Sequence, residues 1–193
     1  MSTKTTDIPS DKECIDLLWE AGCKKRVVVH CATVRAVAEV IAKGIPAADM
    51  DTVVAGALLH DIGRSQDHSI MHAYIGSQIA QKKGLSPVLV DIIRKHTGAG
   101  LDADDVKEMG LPPGDYMPST LEEKIVAHAD NMVSDNRVVS HRHSVDKLMS
   151  KGAERGALRV EMLHQELSKL YGKDLDLLID EIGEYPKLKH VKP

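Results

Sequence analysis

One segment of this chain reads VVAGALLHDIGR, from Val53 to Arg64. Its first seven residues are uncharged and almost all apolar, which is typical of a helix buried in a protein core. The run then ends on an adjacent imidazole and carboxylate, His60 and Asp61. Burying these two groups is costly unless something compensates them, and buried charges are usually paired or bound to a metal ion. We therefore expect His60 and Asp61 to bind a metal.

Two further residues suit the same ion. His30 lies among valines on the apolar face of a predicted helix, and Asp130 follows Val126 by about one helical turn. A buried carboxylate without a partner would cost several kcal/mol or would have to be protonated. Convergence of both residues with His60 and Asp61 on one cation explains all four positions. Nitrogen and oxygen ligands without a thiolate suit Fe, Mn, Zn or Co, and open coordination positions favour catalysis.

His72 and His96 are candidate ligands of a second metal ion. His72 is followed by Gly76, which would let another backbone approach, and His96 is followed by Thr97 and Gly98. Two metal ions about 3.5–4 Å apart can stabilise both the attacking and the leaving oxygen of a phosphoryl transfer. We therefore expect two divalent ions, with His30, His60 and Asp130 on the first, His72 and His96 on the second, and Asp61 bridging them.

The apolar periodicity predicts an all-α protein, and no segment has a convincing strand pattern. Capping residues and glycines place the helix ends. The predicted helices follow Ser10 up to Gly22, cover about 24–43, 48–60, 69–83, 86–97 and 102–109, begin again at Thr120, and cover about 145–171 and 174–182, with a frayed tail at 187–193. No linker marks a second domain, so we expect a single domain over 1–193.

Composition limits the class of protein. The 193 residues include 42% hydrophobic residues and no Phe, and the formal net charge is −4, so no overall basic field indicates binding to DNA. The three cysteines (Cys14, Cys23, Cys31) lack metal-binding spacing and are expected to be buried thiols in a reducing compartment. Neither a signal peptide nor an apolar stretch of ~18 residues is visible. We therefore expect a cytoplasmic protein that does not cross a membrane.

The pattern His30…His60-Asp61…Asp130, with His60-Asp-Ile-Gly63 intact, resembles the HD-domain superfamily of metal-dependent phosphohydrolases. The resemblance covers about 24–137, to which the chain adds an N-terminal helix and a C-terminal helical extension. The motifs His72-x-x-x-Gly76, His96-Thr-Gly98 and Ser119–Asp130 are similar to those of small bacterial HD hydrolases of diadenosine tetraphosphate. In those proteins the matching positions bind two metal ions, commonly iron. The chain departs from that subgroup at 98–119 and in the basic loop 135–143.

This resemblance implies hydrolysis of a phosphoester or phosphoanhydride by metal-activated water, with a nucleotide-like small molecule as substrate. Asp61 is the expected catalytic carboxylate, and His68 could line the site or donate a proton. Three basic residues are candidates for binding substrate phosphate: Arg64, Lys124 and Arg137. Four further histidines lie in polar surroundings and are not expected to be functional: His141, His143, His164 and His190. A homodimer is an assembly that the sequence allows.

Two other functions stay open at this stage. A non-catalytic nucleotide-binding module would predict loss of some ligands, and the ligand set is complete. A di-iron oxygenase of the same architecture would use the same ligands, because related HD architectures can use iron for oxidation. Measuring phosphate release against oxygen consumption separates hydrolase from oxygenase.

Overall fold

A computed structural model describes residues 8–183, which form ten α-helices, two 3₁₀ turns and one short hairpin. The helices are α1 (Asp11–Glu20), α2 (Lys25–Lys43), α3 (Met50–Leu59), α4 (His72–Lys82), α5 (Pro87–Lys95), α6 (Ala103–Glu108), α7 (Leu121–Asn131), α8 (His141–Ser150), α9 (Glu154–Tyr171) and α10 (Ile179–Gly183). The 3₁₀ turns are Ile62–Ser65 and Leu175–Leu178, and the hairpin pairs β1 (Val133–Ser134) with β2 (Arg137–Val138). None of the helices in this part of the chain combines the length and the apolarity that a bilayer span requires. The all-α prediction is confirmed.

Capping interactions set the helix starts that the sequence predicted. Ser10 and Glu13 form a reciprocal capping box at α1, and Thr120 and Glu123 form another at α7. The Ser86 hydroxyl accepts a hydrogen bond from the Leu89 amide at the start of α5. Each cap satisfies backbone N–H groups that a helix leaves without partners in its first turn. The predicted frayed tail and His190 lie outside the described residues.

The segment after α7 differs from the prediction. A hairpin occupies 133–138, where no strand was expected, because two-residue strands are too short to show a period in sequence. Asp135 lies in its turn with φ of +56°, a left-handed conformation that Asp tolerates better than most residues. The Ser140 hydroxyl then caps α8, so this helix begins at His141 and replaces part of the predicted loop.

The main hydrophobic core lies between α2, α3, α5 and α7. Helix α3 is its central element, because every residue from Thr52 to Leu59 is buried. The fully buried large side chains are aliphatic, as expected for a chain without Phe: Leu18, Ile41, Leu58, Leu59, Ile62, Leu89, Ile92, Ile93, Ile125, Met132, Leu167 and Leu175. The three cysteines are buried free thiols, as expected. The inner end of α3 therefore delivers His60 and Asp61 into the interior.

Two glycines allow the turn after Asp61 to pack closely against α4. A Cβ atom on Gly63 would lie 1.9 Å from the backbone oxygen of His72, and a Cβ atom on Gly76 would lie 2.9 Å from Cγ2 of Ile93. Side chains at these positions would force the backbones apart. The absence of a Cβ at both positions thus fixes the distance between Asp61 and His72.

A second, smaller hydrophobic cluster belongs to the segment 98–119. Leu101, Val106, Leu111 and Tyr116 form it, and Tyr74 of α4 packs against it. The short helix expected in this segment is present as α6, with a capping box between Asp102 and Asp105. This packing anchors the segment beside the start of α4.

Candidate metal centre

Six side chains from separate parts of the fold meet at the inner end of α3. His30 comes from α2, His60 and Asp61 from the end of α3, His72 from the first turn of α4, His96 from the end of α5 and Asp130 from α7. These are the six side chains that the sequence analysis predicted as metal ligands, and the structure brings them together. His60, Asp61, His72 and His96 are buried. His30 and Asp130 are partly exposed, and the side chain of His30 is only 17% exposed.

The two carboxylate oxygens of Asp61 face different groups of imidazoles. Its Oδ2 lies 3.7 Å from Nε2 of His30 and 3.7 Å from Nε2 of His60. Its Oδ1 lies 3.3 Å from Nε2 of His72 and 3.5 Å from Nε2 of His96. A carboxylate in this position can contribute one oxygen to each of two neighbouring ions.

Asp130 completes only one of these two groups. Its Oδ1 lies 3.0 Å from Nε2 of His30 and 3.6 Å from Nε2 of His60. One ligand atom each from His30, His60 and Asp130 lies within 4.8 Å of the other two, and the same holds for His60, Asp61 and His96. The donor atoms therefore form two overlapping groups.

Main-chain carbonyls orient all four imidazoles through Nδ1. The Nδ1 atom of His60 lies 2.7 Å from the oxygen of Ala57, that of His72 2.5 Å from Ser69, and that of His96 2.7 Å from Ile93. His30 makes the same contact with the Asp135 oxygen, at 2.6 Å. A carbonyl oxygen can only accept, so Nδ1 carries the hydrogen in each ring. In the neutral form of each ring, Nε2 then carries the lone pair and faces the cluster, which is the tautomer that a metal ligand requires.

Some potential metal-ligand atoms in the cluster have no hydrogen-bond partner in the protein. Within residues 8–183, His60 Nε2 and Asp61 Oδ1 are buried and have no hydrogen-bond partner. The Nε2 atoms of His72 and His96 are 3.1 Å apart although both Nδ1 atoms already donate to carbonyls. Unpaired buried polar atoms and opposed lone pairs are unfavourable without a cation. The residues present thus fit divalent metal ions.

The surroundings shift the pKa values of the cluster residues in different directions. Burial alone would raise the pKa of Asp61, but the neighbouring His60 and His96 hold it well below the usual range. Burial lowers the pKa of His30, yet the Asp130 and Asp61 carboxylates outweigh this and raise it to about 9. For His72 burial and the nearby His96 prevail and lower the pKa to about 4. The cluster is therefore rich in negative charge on the Asp130 side.

A cavity of about 1020 Å³ opens onto the His30, Asp61 and Asp130 side of the cluster. Arg64 lines it, and its Nε donates a 2.6 Å hydrogen bond to Asp61 Oδ2. Basic side chains line the rest of this wall: Lys25, Arg26, His143, Lys147 and Lys151. None of these five was predicted as a site residue. The spacing of four between His143, Lys147 and Lys151 is a helical stripe, a signal that could have found them.

The other three residues that were predicted to line the site do not line the cavity. Lys124 is not among the residues lining the cavity, and its Nζ forms a 2.7 Å ion pair with Glu166 of α9. Arg137 is exposed on β2 and does not line the cavity, although its neighbours Asp135 and Asn136 do. His68 is exposed, and its backbone oxygen, not its ring, contacts Arg64 at 3.4 Å. The structure therefore brings Arg64 to the cluster but not these three side chains.

His141 and His164 do not lie in the polar surroundings that their sequence positions predicted, and whether they have a function stays open. Both are buried, with exposed fractions of 2% and 4%, and they form a second histidine group with His128. Sequence analysis could not detect this group, because its members are distant in the chain and the predicted C-terminal helix began at about residue 145, after His141.

Comparisons with known proteins show which proteins this chain is similar to. A family model described as HD domain matches residues 27–135. The chain is 43% identical over 169 residues to a tRNA (cytidine(56)-2'-O)-methyltransferase of Picrophilus torridus, covering 88% of this chain and 49% of that protein. It is 38% identical over 158 residues to an uncharacterized protein of Methanocaldococcus jannaschii (77% of this chain, 91% of that protein). A ribonuclease Y of Clostridium kluyveri is 26% identical over 182 residues, 88% of this chain and 34% of that protein.

One solved structure has a similar fold. It is the HD domain of the L. monocytogenes phosphodiesterase PgpH in complex with cyclic-di-AMP, with a TM-score of 0.53, 17% identity, and coverage of 83% of this chain and 98% of that chain. The chain spans about half the length of the methyltransferases that it matches, so their named activity describes a longer protein.

Proposed function

The chain belongs to the HD domain family, and from this we propose that it is a hydrolase that cleaves phosphodiester bonds with two divalent metal ions. The observation that carries the proposal is the position of Asp61, whose two oxygens face two separate groups of Nε2 atoms. A cluster built for one ion would not need His72 and His96. The fold shared with a cyclic-di-AMP phosphodiesterase supports the same class of reaction.

In this proposal His30, His60 and Asp130 would hold the first ion, His72 and His96 would hold the second, and Asp61 would be a ligand of both. When bound, the ions would activate water and neutralise charge on the phosphate. The donor set favours Fe, Mn, Zn or Co, since it offers nitrogen and oxygen. Burial raises the pKa of Cys23 to about 11 and that of Cys31 well above its ordinary value, so both nearby thiols are protonated near neutral pH.

Arg64 has two tasks in this scheme. Its Nε–H fixes Asp61 Oδ2, and its guanidinium, 30% exposed at the cavity, has further N–H groups for phosphate oxygens. Arginine suits this task because its fork of donors matches the geometry of a phosphate. Asp61 and Arg64 thus hold each other in place beside the bond to be broken.

The substrate class that we propose is a nucleotide with a phosphodiester or phosphoanhydride linkage, such as a cyclic dinucleotide or a dinucleoside polyphosphate. The basic wall and the cavity volume support a ligand larger than a single phosphate. A substrate with several phosphates would reach both the cluster and the basic stripe on α8.

A single strand of RNA is the second candidate substrate. Lys25 and Arg26 at the start of α2 and Lys147 and Lys151 on α8 line the same open cavity, a positive groove of the kind that follows a phosphate backbone. Relatives named as a ribonuclease and as tRNA methyltransferases also act on RNA by name. Methyl transfer is the named activity of proteins of which this chain spans only about half, and that name does not extend to the matched part alone.

The test is a hydrolysis assay on metal-reconstituted protein. The panel contains a cyclic dinucleotide, a dinucleoside polyphosphate and an end-labelled RNA oligonucleotide, each with Mn²⁺, Fe²⁺, Zn²⁺ or Co²⁺. We expect metal-dependent cleavage of at least one substrate, lost in Asp61→Asn and retained in Asp180→Asn, which makes the same charge change at an exposed position. No cleavage in any combination, together with oxygen consumption by the iron form, would favour the oxygenase.

A further inference from the structure

Three histidines form a second buried group on the other side of α7. His128 lies two residues before Asp130, so on an α-helix their side chains point about 200° apart. His141 begins α8 and His164 lies in α9, and the three side chains are at most 4% exposed by residue. This group shares no residue with the metal centre, so the proposed hydrolysis makes no use of it.

His141 lies between two carboxylates. Its Nδ1 is 3.0 Å from Asp176 Oδ2, and its Nε2 is 3.0 Å from Glu161 Oε2. A neutral imidazole has one N–H, so it can donate to only one of these carboxylates. The second contact requires either a protonated ring or a cation that takes the place of the hydrogen.

His164 stacks on His141, with ring centroids 3.5 Å apart and planes 15° from parallel. Its Nε2 lies 3.0 Å from Asp174 Oδ1, and its Nδ1 lies 3.1 Å from Nε2 of His128. Protonation of both stacked rings would put two like charges in contact. Within the described part of the chain, Nδ1 of His128 is also buried without a hydrogen-bond partner.

We propose that His141, His164 and Asp176 bind a divalent cation of the zinc type. One ligand atom from each lies within 4.8 Å of the other two, and binding to one ion at ~2.0–2.2 Å requires one imidazole to turn out of the stack so that both lone pairs point to the ion. Mixed imidazole and carboxylate donors suit this ion. Glu161 and Asp174 contact the same rings from outside and can orient them, as carboxylates do around metal-bound histidines.

Charge supports the same assignment. Three carboxylates (Glu161, Asp174, Asp176) face rings that are neutral when unprotonated, and a divalent ion offsets this negative charge. Arg142, Lys169 and Lys173 line the outer wall of the adjoining cavity and are a competing source of positive charge. The alternative is therefore a protonated His141 held by two carboxylates without metal, and the experiment has to separate the two.

The ion would fasten the C-terminal part of the chain to the helices. Asp174 and Asp176 flank Leu175, which is fully buried in the main core, and Leu178 follows it in the same 3₁₀ turn. His141 and His164 come from α8 and α9. A cation bound by these ligands would join three elements that otherwise meet through separate contacts.

The test measures how many equivalents of Zn²⁺ the protein binds. Metal-stripped full-length protein is titrated with Zn²⁺ in competition with a chromophoric chelator, and the total number of equivalents is compared among variants. We expect Asp176→Asn and His141→Gln each to bind about one equivalent less than wild type. Asp180→Asn is the matched control, an exposed carboxylate in the following helix, and should bind as many as wild type. The difference does not depend on how many ions the first centre holds.

Far-UV circular dichroism establishes that each variant is folded before it is titrated. If His141→Gln unfolds, Asp176→Asn decides alone, because Asp176 is partly exposed and its replacement has the same shape. Added Zn²⁺ should also raise the melting temperature of Asp180→Asn more than that of Asp176→Asn. An equal number of equivalents in wild type and Asp176→Asn would overturn the proposal and leave the protonated-histidine alternative.

Discussion

The Nε2 atoms of His72 and His96 face each other at 3.1 Å, while both Nδ1 atoms donate to carbonyls of their own segments. The contact therefore joins two lone pairs, and it is stable only if a cation or a proton lies between them. Burial and the neighbouring His96 lower the pKa of His72 to about 4, so the His72 ring is neutral near pH 7. This pair is the strongest sign that the centre binds more than the ion expected from His30, His60 and Asp130.

The double variant His72→Ala with His96→Ala tests the number of ions. We expect bound metal to fall from about two equivalents to about one, and turnover to fall at least about 100-fold, since half of the charge that acts on the phosphate is lost. Elemental analysis and steady-state kinetics measure both. Unchanged metal content with a raised KM would instead mean that the two histidines contact substrate.

Asp61→Asn should abolish hydrolysis while the protein stays folded. The substitution keeps the shape of the side chain and removes the charge that both groups of imidazoles share, so we expect turnover to fall by more than the 10–100-fold typical of residues that only support a ligand. Metal analysis and circular dichroism on the stripped and reloaded protein check this. Wild-type turnover with retained metal would show that Asp61 is not the bridge.

Two glycine substitutions should differ in severity. Gly63→Ala puts a Cβ 1.9 Å from a backbone oxygen of α4, whereas the atoms nearest to a Cβ in Gly76→Ala are Cγ2 of Ile93 at 2.9 Å and the backbone nitrogen of Gly63 at 3.1 Å. We expect Gly76→Ala to cost about 1–3 kcal/mol of unfolding free energy, as overpacking does, and Gly63→Ala to cost more. Urea unfolding measures both. Similar losses for the two variants would contradict the close backbone approach.

The basic stripe on α8 distinguishes the two candidate substrates. If the substrate is an RNA strand, Lys147→Gln with Lys151→Gln should weaken binding and reduce the slope of log affinity against log salt by about 2, one for each lost phosphate contact. Binding of a cyclic dinucleotide should change less, because it has fewer phosphates to place. Fluorescence anisotropy at several salt concentrations gives both slopes, and an unchanged RNA slope would exclude this stripe from the binding surface.

Acid should destabilise the protein in part through Glu123. Burial raises the pKa of this carboxyl, but amide donors from Ser119 and Thr120 and the Lys95 ammonium prevail and lower it below its ordinary value. A lowered folded-state pKa gives stability that is present above the unfolded-state value of ~4.3 and is lost as pH falls below it. Glu123→Gln should therefore flatten the fall in unfolding free energy below about pH 5. Parallel curves for the variant and wild type would assign the acid sensitivity elsewhere.

The metal centre could be predicted from sequence because its ligands stand out locally. His30 and Asp130 occupy apolar-face positions, and the His60-Asp61 pair ends a helix that is buried on every side. The second histidine group could not be found in this way, since His141, His164 and Asp176 become neighbours only when α8, α9 and the following turn pack together. Lys124 shows the opposite error: it is close to Asp130 in sequence, but its place on the helix directs it to Glu166.

Three of the four imidazoles at the centre are held by the carbonyl three residues before them: His60 by Ala57, His72 by Ser69 and His96 by Ile93. The orientation of these three rings is therefore set by hydrogen bonds within short local segments, and it does not depend on the connections between helices. Insertions or deletions in the intervening loops, such as the segment 98–119, can reshape the entrance without misdirecting a ligand. Such a centre can be inherited unchanged while the choice of substrate evolves around it.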